Sequence, residues 1–400
     1  MRLLFLSLWL VAAASGQTVT IRAGTVLDGK GGIQRNVRLT IQGSRITRVE
    51  PGGSGAVDYD LSGLTLMPGW IDTHIHLDGH FNRQGRADTL NEDPAEFSLR
   101  TQGAAWDTLQ GGFTTVQSVG AETDKTLRDL INEGVVPGPR ILTSLATLNE
   151  RSGTPDEIRA KVQALKSRGA DVVKLFATAS SRDGGKQTMT DPQIEAACSE
   201  AKALGLRAAV HAHAAGGARP AVFSGCTSIE HGTFLTDELL ELMAQRGVYL
   251  DTNLSNVHNY LEHKQAFLGL GNFTEEGFAE MAKDLPIRID TLHRALAKKV
   301  KVVLGTDAVA GLQGRNREEF IYRVQDGGQP AMDAIVSATS RAAESLGLGD
   351  RIGRIASGME ADLVATEGNP IEDITNVRRV AFVMKGGKVY RNGNSGRPAP

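Results

Sequence analysis

The 400-residue chain is 40% hydrophobic and 22% charged, and its formal net charge is -2 at pH 7. A chain of this size and composition can bury a large core without disulfides or structural metals. The near-neutral charge, with no strong basic cluster, argues against electrostatic binding to nucleic acid or to a membrane surface. These properties predict a globular, enzyme-sized protein.

The first residues have the pattern of a secretory signal. MRLLFLSLWLVAAASGQ combines Arg2 with an apolar run from Leu3 to Ala14 and with small residues where a signal peptidase would cut. The run is shorter than the ~20 residues that cross a bilayer. The sequence therefore predicts a signal peptide over residues 1–16. It also predicts an exported protein, periplasmic or secreted, with no membrane contact after the signal is removed.

The middle of the chain alternates short β-like runs with amphipathic helices. Residues 17–66 and the far end of the chain instead show short strands broken by turns. Strands that alternate with helices of this length are typical of parallel βαβ units, and eight such runs predict an α/β protein with a closed (β/α)8 barrel. The runs are GWIDTHIH, FTTVQSVG, RILTSL, DVVKLFAT, RAAVHAH, TSIEHG, VYLDTN and KVVLGTD.

Polar side chains gather at the ends of five of these runs, which is where a barrel places its active site. In IDTHIH, strand alternation directs His74 and His76 to the same face. The HAH of the fifth run, the EHG of the sixth and the TD of the eighth add further imidazoles and a carboxylate. Each residue alone has an ordinary alternative as a strand-end or helix-capping side chain. Together they supply nitrogen and oxygen donors that suit zinc or a similar divalent ion.

Lys174 lies in the apolar run DVVKLFAT, where a free charge would be costly. One interpretation is a lysine that extends to the rim of the barrel. The other is that desolvation lowers the pKa of the amine, so that the neutral amine reacts with carbon dioxide. The resulting carbamate is anionic and could bridge two metal ions.

The order HxH, K, HAH, EHG and TD resembles the amidohydrolase superfamily. It is similar to the imidazolonepropionase-like branch, which contains metal-dependent dipeptidases and carboxypeptidases. The most specific parts are MPGWIDTHIHL, HAHAAGG, SIEHG and IASGMEADLVATEGNPIEDI, and the resemblance covers nearly the whole mature chain. It implies a hydrolase barrel over residues 67–354. It also implies a small β-sandwich built from residues 17–66 and 355–395.

The resemblance further implies two divalent metal ions, which we expect to be zinc. The residues that would bind them are four histidines, a lysine and an aspartate: His74, His76, Lys174, His211, His231 and Asp307. His74, His76 and Asp307 would hold the more buried ion. Lys174, as N6-carboxylysine, would bridge to an ion held by the other two histidines.

The implied activity is hydrolysis of a carbon–nitrogen (amide) bond in a small molecule, an N-acyl amino acid or a dipeptide. Two ions that share a water would provide hydroxide at neutral pH. Asp307 would carry the proton to the leaving nitrogen, and His213 would face the substrate and stabilise the developing oxyanion. The alternative for the fifth run is that His213, and not His211, binds the metal.

Three other functions remain open at this point. A mononuclear deaminase or cyclic-amide hydrolase on the same scaffold usually carries a glutamate shortly after the fifth-strand histidine, and HAHAAGG has none. Lactone or phosphotriester hydrolysis uses the same pair of metal ions. A non-enzymatic exported binding protein is disfavoured because all six ligand positions are filled.

The loops after the first and seventh runs supply candidate substrate residues: Arg83, Arg86, His258 and Tyr260. A guanidinium matches a carboxylate bidentately, so either arginine could bind a substrate carboxylate. Solvated loop residues are the alternative for all four. The sequence leaves a homo-oligomer open.

The chain has two cysteines, Cys198 and Cys226. Both lie in apolar surroundings without a partner at metal-site spacing, so we expect small core residues. A single bridge between them is the alternative in an oxidising compartment.

Overall fold

Strands from the two ends of the chain form one seven-stranded sheet. The computed structural model describes residues 17–393, so the predicted signal peptide at residues 1–16 lies outside the described residues. The strands of this sheet are β1 (Thr18–Leu27), β2 (Ile33–Gln42), β3 (Arg45–Pro51), β4 (Tyr59–Pro68), β14 (Leu363–Glu367), β15 (Val380–Lys385) and β16 (Lys388–Asn392). Their order across the sheet is β16, β15, β14, β4, β1, β2, β3.

The join between the two ends lies in the middle of this sheet. Strand β14 pairs antiparallel with β4, with Ala365 opposite Leu66. The sheet has its own core, which includes Ile21, Leu39 and Phe382. It therefore forms a separate layer beside the rest of the protein.

The remaining strands form the barrel. They are β5 (Trp70–Ile75), β6 (Phe113–Ser118), β7 (Arg140–Thr143), β8 (Thr147–Leu148), β9 (Val172–Phe176), β10 (Arg207–Ala214), β11 (Ser228–Phe234), β12 (Tyr249–Asp251) and β13 (Lys301–Val302). All pairings among them are parallel. The eight predicted runs correspond to all of these strands except β8, a two-residue strand that the sequence analysis did not predict.

Backbone hydrogen bonds close the barrel where the strands are short. The amide of Thr73 in β5 donates to the carbonyl of Leu304, just after β13, at 2.9 Å, and the amide of Asp171 donates to Thr143 in β7 at 2.8 Å. These bonds connect β5 to the segment after β13, and β7 to the segment just before β9. The predicted α/β class, a (β/α)8 barrel with a small β-sandwich built from both termini, is confirmed.

Helices connect the strands and cover the barrel. They are α1 (Pro94–Gln110), α2 (Thr123–Asn132), α3 (Pro155–Ser167), α4 (Asp191–Ala203), α5 (Ala215–Phe223), α6 (Asp237–Arg246), α7 (Leu254–Glu262), α8 (Lys264–Phe267), α9 (Glu275–Ala297), α10 (Glu318–Gln325), α11 (Ala331–Ser337) and α12 (Ser340–Ser345). Local sequence sets several of their starts. Thr154, for example, accepts from the amide of Glu157, whose side chain bonds back, so the two residues form a capping box before α3.

None of the helices within residues 17–393 combines the length and the apolar character that a membrane span requires.

The barrel and the terminal sheet are joined by apolar contacts and by buried charges. Trp70 of β5 belongs to an apolar cluster that also contains Leu27, Val364 and Val383 of the sheet. Arg140 at the start of β7 reaches the carboxylate of Asp362 at 2.7 Å, just before β14. These contacts fix the base of the barrel against the sheet.

Cys198 and Cys226 form a disulfide. The expectation of two free core thiols was therefore wrong, although both residues are buried as expected. Cys198 lies on α4 and Cys226 lies just before β11, and packing of the helix against the barrel brings their Cα atoms to 5.1 Å. The residues are 28 positions apart, and their proximity depends on this packing.

Candidate active site

The first two histidines come from the end of β5. Every residue of this strand is buried, and the amide of His76, one residue beyond it, donates to the carbonyl of Ala308 at 2.8 Å. The rings of His74 and His76 lie 5.5 Å apart. The strand parity read from the sequence thus brings both imidazoles to the same end of the barrel.

Asp307 joins these two histidines. Its Oδ1 lies 3.0 Å from Nε2 of His76 and 3.3 Å from Nε2 of His74. Its Oδ2 accepts a hydrogen bond from Nδ2 of Asn256 at 3.0 Å. The three donor atoms of His74, His76 and Asp307 lie close enough together to hold one ion.

Three further histidines form a second cluster. The ring of His231 in β11 lies 4.5 Å from that of His211 and 4.7 Å from that of His213, both in β10. Their donor atoms lie within 4.8 Å of one another, so this group could also hold an ion. His213 additionally contacts Thr233, whose Oγ1 lies 2.9 Å from Nδ1. His211 and His213, the two alternative metal ligands of the fifth run, therefore both belong to this cluster.

Two of the clustered residues have a backbone conformation that is uncommon for residues other than glycine. His231 has a φ of 72° and Asp307 a φ of 52°. Residues held in this region cost free energy and collect at functional sites, where the surrounding structure fixes them. His231 lies within β11 and Asp307 lies in the segment after β13, and each side chain enters one of the clusters.

Lys174 contacts the first cluster and lies on β9, the strand beside the β10 of His211. Its side chain is 1% exposed, and its Nζ is 3.0 Å from Nε2 of His74. Burial lowers the pKa of its amine, against the opposing charges of Glu230 and Asp307. The alternative of a lysine extending to the rim is wrong, because the amine is enclosed.

Burial also lowers the pKa of most of the imidazoles. It lowers the pKa of His211 to about 3, with the nearby Lys174 charge acting in the same direction. The pKa values of His213 and His231 also fall well below the usual range because of burial. For His76 burial lowers the pKa, but the hydrogen bond and charge of Asp307 outweigh it and the net shift is upward. Neutral imidazole is the form that binds metal ions.

A layer of buried acids beneath the clusters was given no role in the sequence analysis. Oε2 of Glu230 lies 3.0 Å from Nδ1 of His74, and Oδ2 of Asp251 lies 3.4 Å from the same nitrogen. Asp72 accepts hydrogen bonds from Thr306 and Asn316, and burial nevertheless raises the pKa of Asp72 to about 7. Glu230 stands next to His231 in SIEHG, and this adjacency was the available sequence signal.

The two clusters open into a cavity of about 640 Å³. Besides the histidines, Lys174 and Asp307, it is lined by Asn256 and Tyr260 of α7, Arg288 of α9 and Arg182 of the loop after β9. Neither arginine was predicted. Arg288 lies on a long amphipathic helix, where an arginine normally faces solvent, so the sequence carried no signal for it.

Of the four predicted substrate residues, only Tyr260 lines this cavity. Arg83 pairs with Glu96 at 2.7 Å, and its side chain is 74% exposed. Arg86 donates to the carbonyls of Gln265 and Leu268, and His258 stacks on Tyr322. Arg83 and Arg86 lie in the loop after β5, and His258 lies on α7 but does not line the cavity, which corrects the expectation that these three residues line the pocket.

Known proteins resemble this chain in both sequence and architecture. The chain is 27% identical over 437 residues to an ochratoxinase of Aspergillus niger, covering 95% of this chain and 88% of the relative. It is 28% identical to an imidazolonepropionase of Stenotrophomonas maltophilia, covering 91% and 94%. A crystal structure of a Xaa-Pro dipeptidase with bound methionine in the active site superposes with a TM-score of 0.86 at 32% identity, covering 94% of this chain and 100% of that one.

A (β/α)8 barrel with clustered histidines at the carboxyl ends of its strands defines a metal-dependent hydrolase. The profile of the amidohydrolase family matches residues 65–390, and the chain belongs to this family. It is a hydrolase that acts on carbon–nitrogen bonds.

Proposed function

We propose that the protein is a binuclear amidase that cleaves small N-acyl amino acids or dipeptides. The observation that carries this proposal is the position of Lys174 beside two adjoining groups of donors, whose His74 and His231 rings lie 5.4 Å apart. The amine is 3.0 Å from His74 of the first group and lies on β9, directly beside β10, which supplies His211 of the second. Either group alone has enough donor atoms for one ion, so the presence of both favours two ions.

The residues fit two divalent ions. His74, His76 and Asp307 would hold one ion, and His211 and His231 the other, with Lys174 as N6-carboxylysine between them. Imidazole and carboxylate donors suit zinc. Carboxylation would replace a cationic amine, which repels metal ions, by two oxygen donors. When bound, such ions lower the pKa of water and polarise the carbonyl of the substrate.

The side chains of the chain would move the proton and hold the substrate. The hydroxyl of water adds to the acyl carbon and the carbon–nitrogen bond breaks. Asp307 takes the proton from the water and delivers it to the leaving nitrogen, so the products are a carboxylic acid and an amine. Asn256 holds Oδ2 of Asp307 through its 3.0 Å hydrogen bond.

His213 would serve as the hydrogen-bond donor to the developing oxyanion. In the proposed arrangement the hydroxyl of Thr233 donates to Nδ1 of His213, which leaves the ring proton on Nε2. A donor placed in this way typically contributes about 3 kcal/mol to the stability of the transition state. His211, and not His213, is then the metal ligand from β10.

The size of the cavity supports a small substrate. A volume of about 640 Å³ is within the range of pockets that enclose a small molecule. The related ochratoxinase and the Xaa-Pro dipeptidase also act, by their names, on compact substrates. An N-acyl amino acid or a dipeptide is the class of amide that we propose for this chain.

We further propose that the protein is exported. The disulfide between Cys198 and Cys226 supports this location, because disulfides persist in oxidising compartments. The signal-like pattern of residues 1–16 is an independent support. Fractionation of cells that express the full-length chain should recover the mature protein, starting near Gln17, outside the cytoplasm. Recovery of the uncleaved chain in the cytoplasm would contradict export.

The test of the catalytic proposal combines metal analysis with a substrate panel. The purified mature protein should contain about two equivalents of divalent metal per chain and should hydrolyse dipeptides or N-acyl amino acids faster than a lactone or a phosphotriester. Mass spectrometry of the intact protein at neutral pH should show the added mass of one carbon dioxide on Lys174. Amidase activity in protein that lacks two equivalents of metal would contradict the binuclear proposal.

A further inference from the structure

Helix α7 begins without a cap from its own sequence. The first amides of a helix have no acceptor inside it, and a side chain just before the helix commonly supplies one. Threonines do so for α3, α4, α6 and α9: Thr154, Thr190, Thr236 and Thr274. The corresponding residue of α7 is Asn253, whose backbone is left-handed at a φ of 48° and whose side chain caps no helix amide in the described part of the chain. The first amides of α7 therefore need an acceptor from elsewhere.

A carboxylate on a different helix supplies this acceptor. Glu319, in the first turn of α10, is completely buried. Its Oε1 accepts a hydrogen bond from the amide of Leu254 at 3.1 Å, and its Oε2 accepts one from the amide of Ser255 at 2.7 Å. The helix dipole also favours a negative charge at this end of a helix. Both oxygens of a buried carboxylate are thus bonded to the first turn of α7.

The same turn of α7 carries Asn256, which holds Asp307. Nδ2 of Asn256 donates to the backbone carbonyl of Asp307 at 2.8 Å and to its Oδ2 at 3.0 Å. Asp307 has a left-handed backbone, at a φ of 52°, and such a conformation persists where the surrounding structure fixes it. The position of the first turn of α7 therefore sets the direction of the carboxylate that would move the proton.

We propose that Glu319 is a positioning residue for the proton-transfer step and acts on Asp307 through α7 and Asn256. This inference rests on the proposed amidase function and adds a residue that lies outside the cavity. Glu319 is not among the described residues that line the cavity, so its effect on the reaction has to pass through the helix. Misplacing a reacting group by about 1 Å can slow a reaction by about 100-fold, so a small shift of α7 is sufficient.

The kinetic test replaces the carboxylate of Glu319 by an amide of the same shape. Glu319→Gln keeps one acceptor oxygen and places an NH2 group against the other backbone amide, which releases one side of the turn. With the fastest substrate of the panel and saturating metal, kcat should fall by about 10- to 100-fold while KM stays within about twofold. Glu318→Gln is the matched control on the same helix and should keep the wild-type kcat. Its carboxylate pairs with Arg378, whose Nε donates to Oε1 at 2.9 Å, and not with α7.

A double-mutant cycle separates positioning from a general loss of stability. Asn256→Ala already cuts the link to Asp307, so adding Glu319→Gln to this variant should lower kcat by less than about threefold more. An equal reduction of kcat in both backgrounds would overturn the proposal, as would a wild-type kcat in Glu319→Gln. If Glu319→Gln does not fold, Glu319→Asp replaces it in both backgrounds, because aspartate keeps the charge and withdraws the carboxylate from the two amides.

Amide hydrogen exchange gives a readout that does not depend on turnover. In Glu319→Gln, the peptides that contain α7 and residues 304–310 should exchange at least about 10-fold faster than in the wild type, and Glu318→Gln should match the wild type. Unchanged exchange of residues 304–310 would overturn the link from Glu319 to Asp307 and leave the amidase function standing. Failure of the wild-type protein to cleave any amide would overturn the amidase function, and the exchange rates would still decide whether Glu319 holds Asp307 through α7.

Discussion

The Nζ atom of Lys174 lies 3.0 Å from Nε2 of His74, in an interior where both side chains are almost completely buried. A protonated amine and a ring nitrogen that is available to bind metal are poor neighbours unless the amine is neutral or modified. Burial lowers the pKa of Lys174, which favours the neutral amine that reacts with carbon dioxide. This contact links the chemistry of the lysine to the metal centre that we propose.

Replacing Lys174 by alanine should therefore remove both the metal ions and the activity. We expect metal content to fall below one equivalent and kcat/KM to fall by at least about 100-fold, because the oxygens of the proposed carbamate would be lost. A short carboxylic acid such as propionate should restore part of the activity by occupying the space of the carbamate. Lys166→Ala, at an exposed position on α3, is the control. Full metal content in the Lys174 variant would rule out the bridge.

Replacing Asp307 by asparagine should abolish proton transfer and leave the fold intact. Asparagine tolerates the left-handed backbone that residue 307 adopts, at a φ of 52°, so strain should not increase. We expect kcat to fall by about 100- to 10,000-fold. Asp290→Asn, on the exposed face of α9, should behave as the wild type. A variant at residue 307 that keeps more than a tenth of the wild-type kcat would contradict this role for Asp307.

Glu230 should act through His74 as a positioning residue. Its Oε2 lies 3.0 Å from Nδ1 of His74, and a carboxylate there holds the proton on Nδ1 and leaves Nε2 free to bind metal. Glu230→Gln should weaken metal binding by about 10- to 100-fold, measured by competition with a chelator. At saturating metal, kcat should largely recover, and Glu241→Gln on the surface of α6 should show no effect. Unchanged metal affinity in the Glu230 variant would disprove the positioning role.

Removing the disulfide should lower stability without affecting catalysis. The bridge joins α4 to the segment before β11 and closes a loop between residues 28 positions apart. Cys198→Ala combined with Cys226→Ala should lower the free energy of unfolding by about 2–4 kcal/mol, measured by denaturant titration. Because neither residue lines the cavity, kcat/KM should stay within twofold of the wild type. The untreated protein should contain no titratable thiol, and two reactive thiols per chain would contradict the bridge.

Lys385 in β15 should make stability depend on pH above neutrality. Burial, together with the nearby Arg140 charge, lowers the pKa of Lys385 to about 8. Between pH 8 and about 10.5 the unfolded chain holds a proton that the folded chain has released, so the free energy of unfolding rises with pH in this window. Across this pH window the free energy of unfolding of the wild type should increase, relative to that of Lys385→Met, by on the order of 1 kcal/mol. Lys166→Met, at an exposed position on α3, should run parallel to the wild type, and a flat difference for Lys385→Met would contradict the shift.

The barrel, and the histidines and aspartate that cluster at its rim, could be predicted from local sequence patterns. The eight runs alternate with helices because each strand must be covered by a helix, and this periodicity is visible without any tertiary contact. Strand parity was sufficient to bring His74 and His76 to one face. The side chains at the ends of parallel strands converge because the strands share one direction, so His211, His231 and Asp307 followed from the same rule.

Which loops reach the cavity, and which distant residues come into contact, depends on the tertiary structure. No sequence pattern relates the loop of Arg83 or the helix of Arg288 to the rim of the barrel. Whether either segment reaches the rim therefore depends on packing. Cys198 and Cys226 approach each other for the same reason, through the docking of α4 on the barrel. Local sequence patterns determine the face of a strand or helix, whereas burial and pairing between remote segments depend on how all the layers pack together.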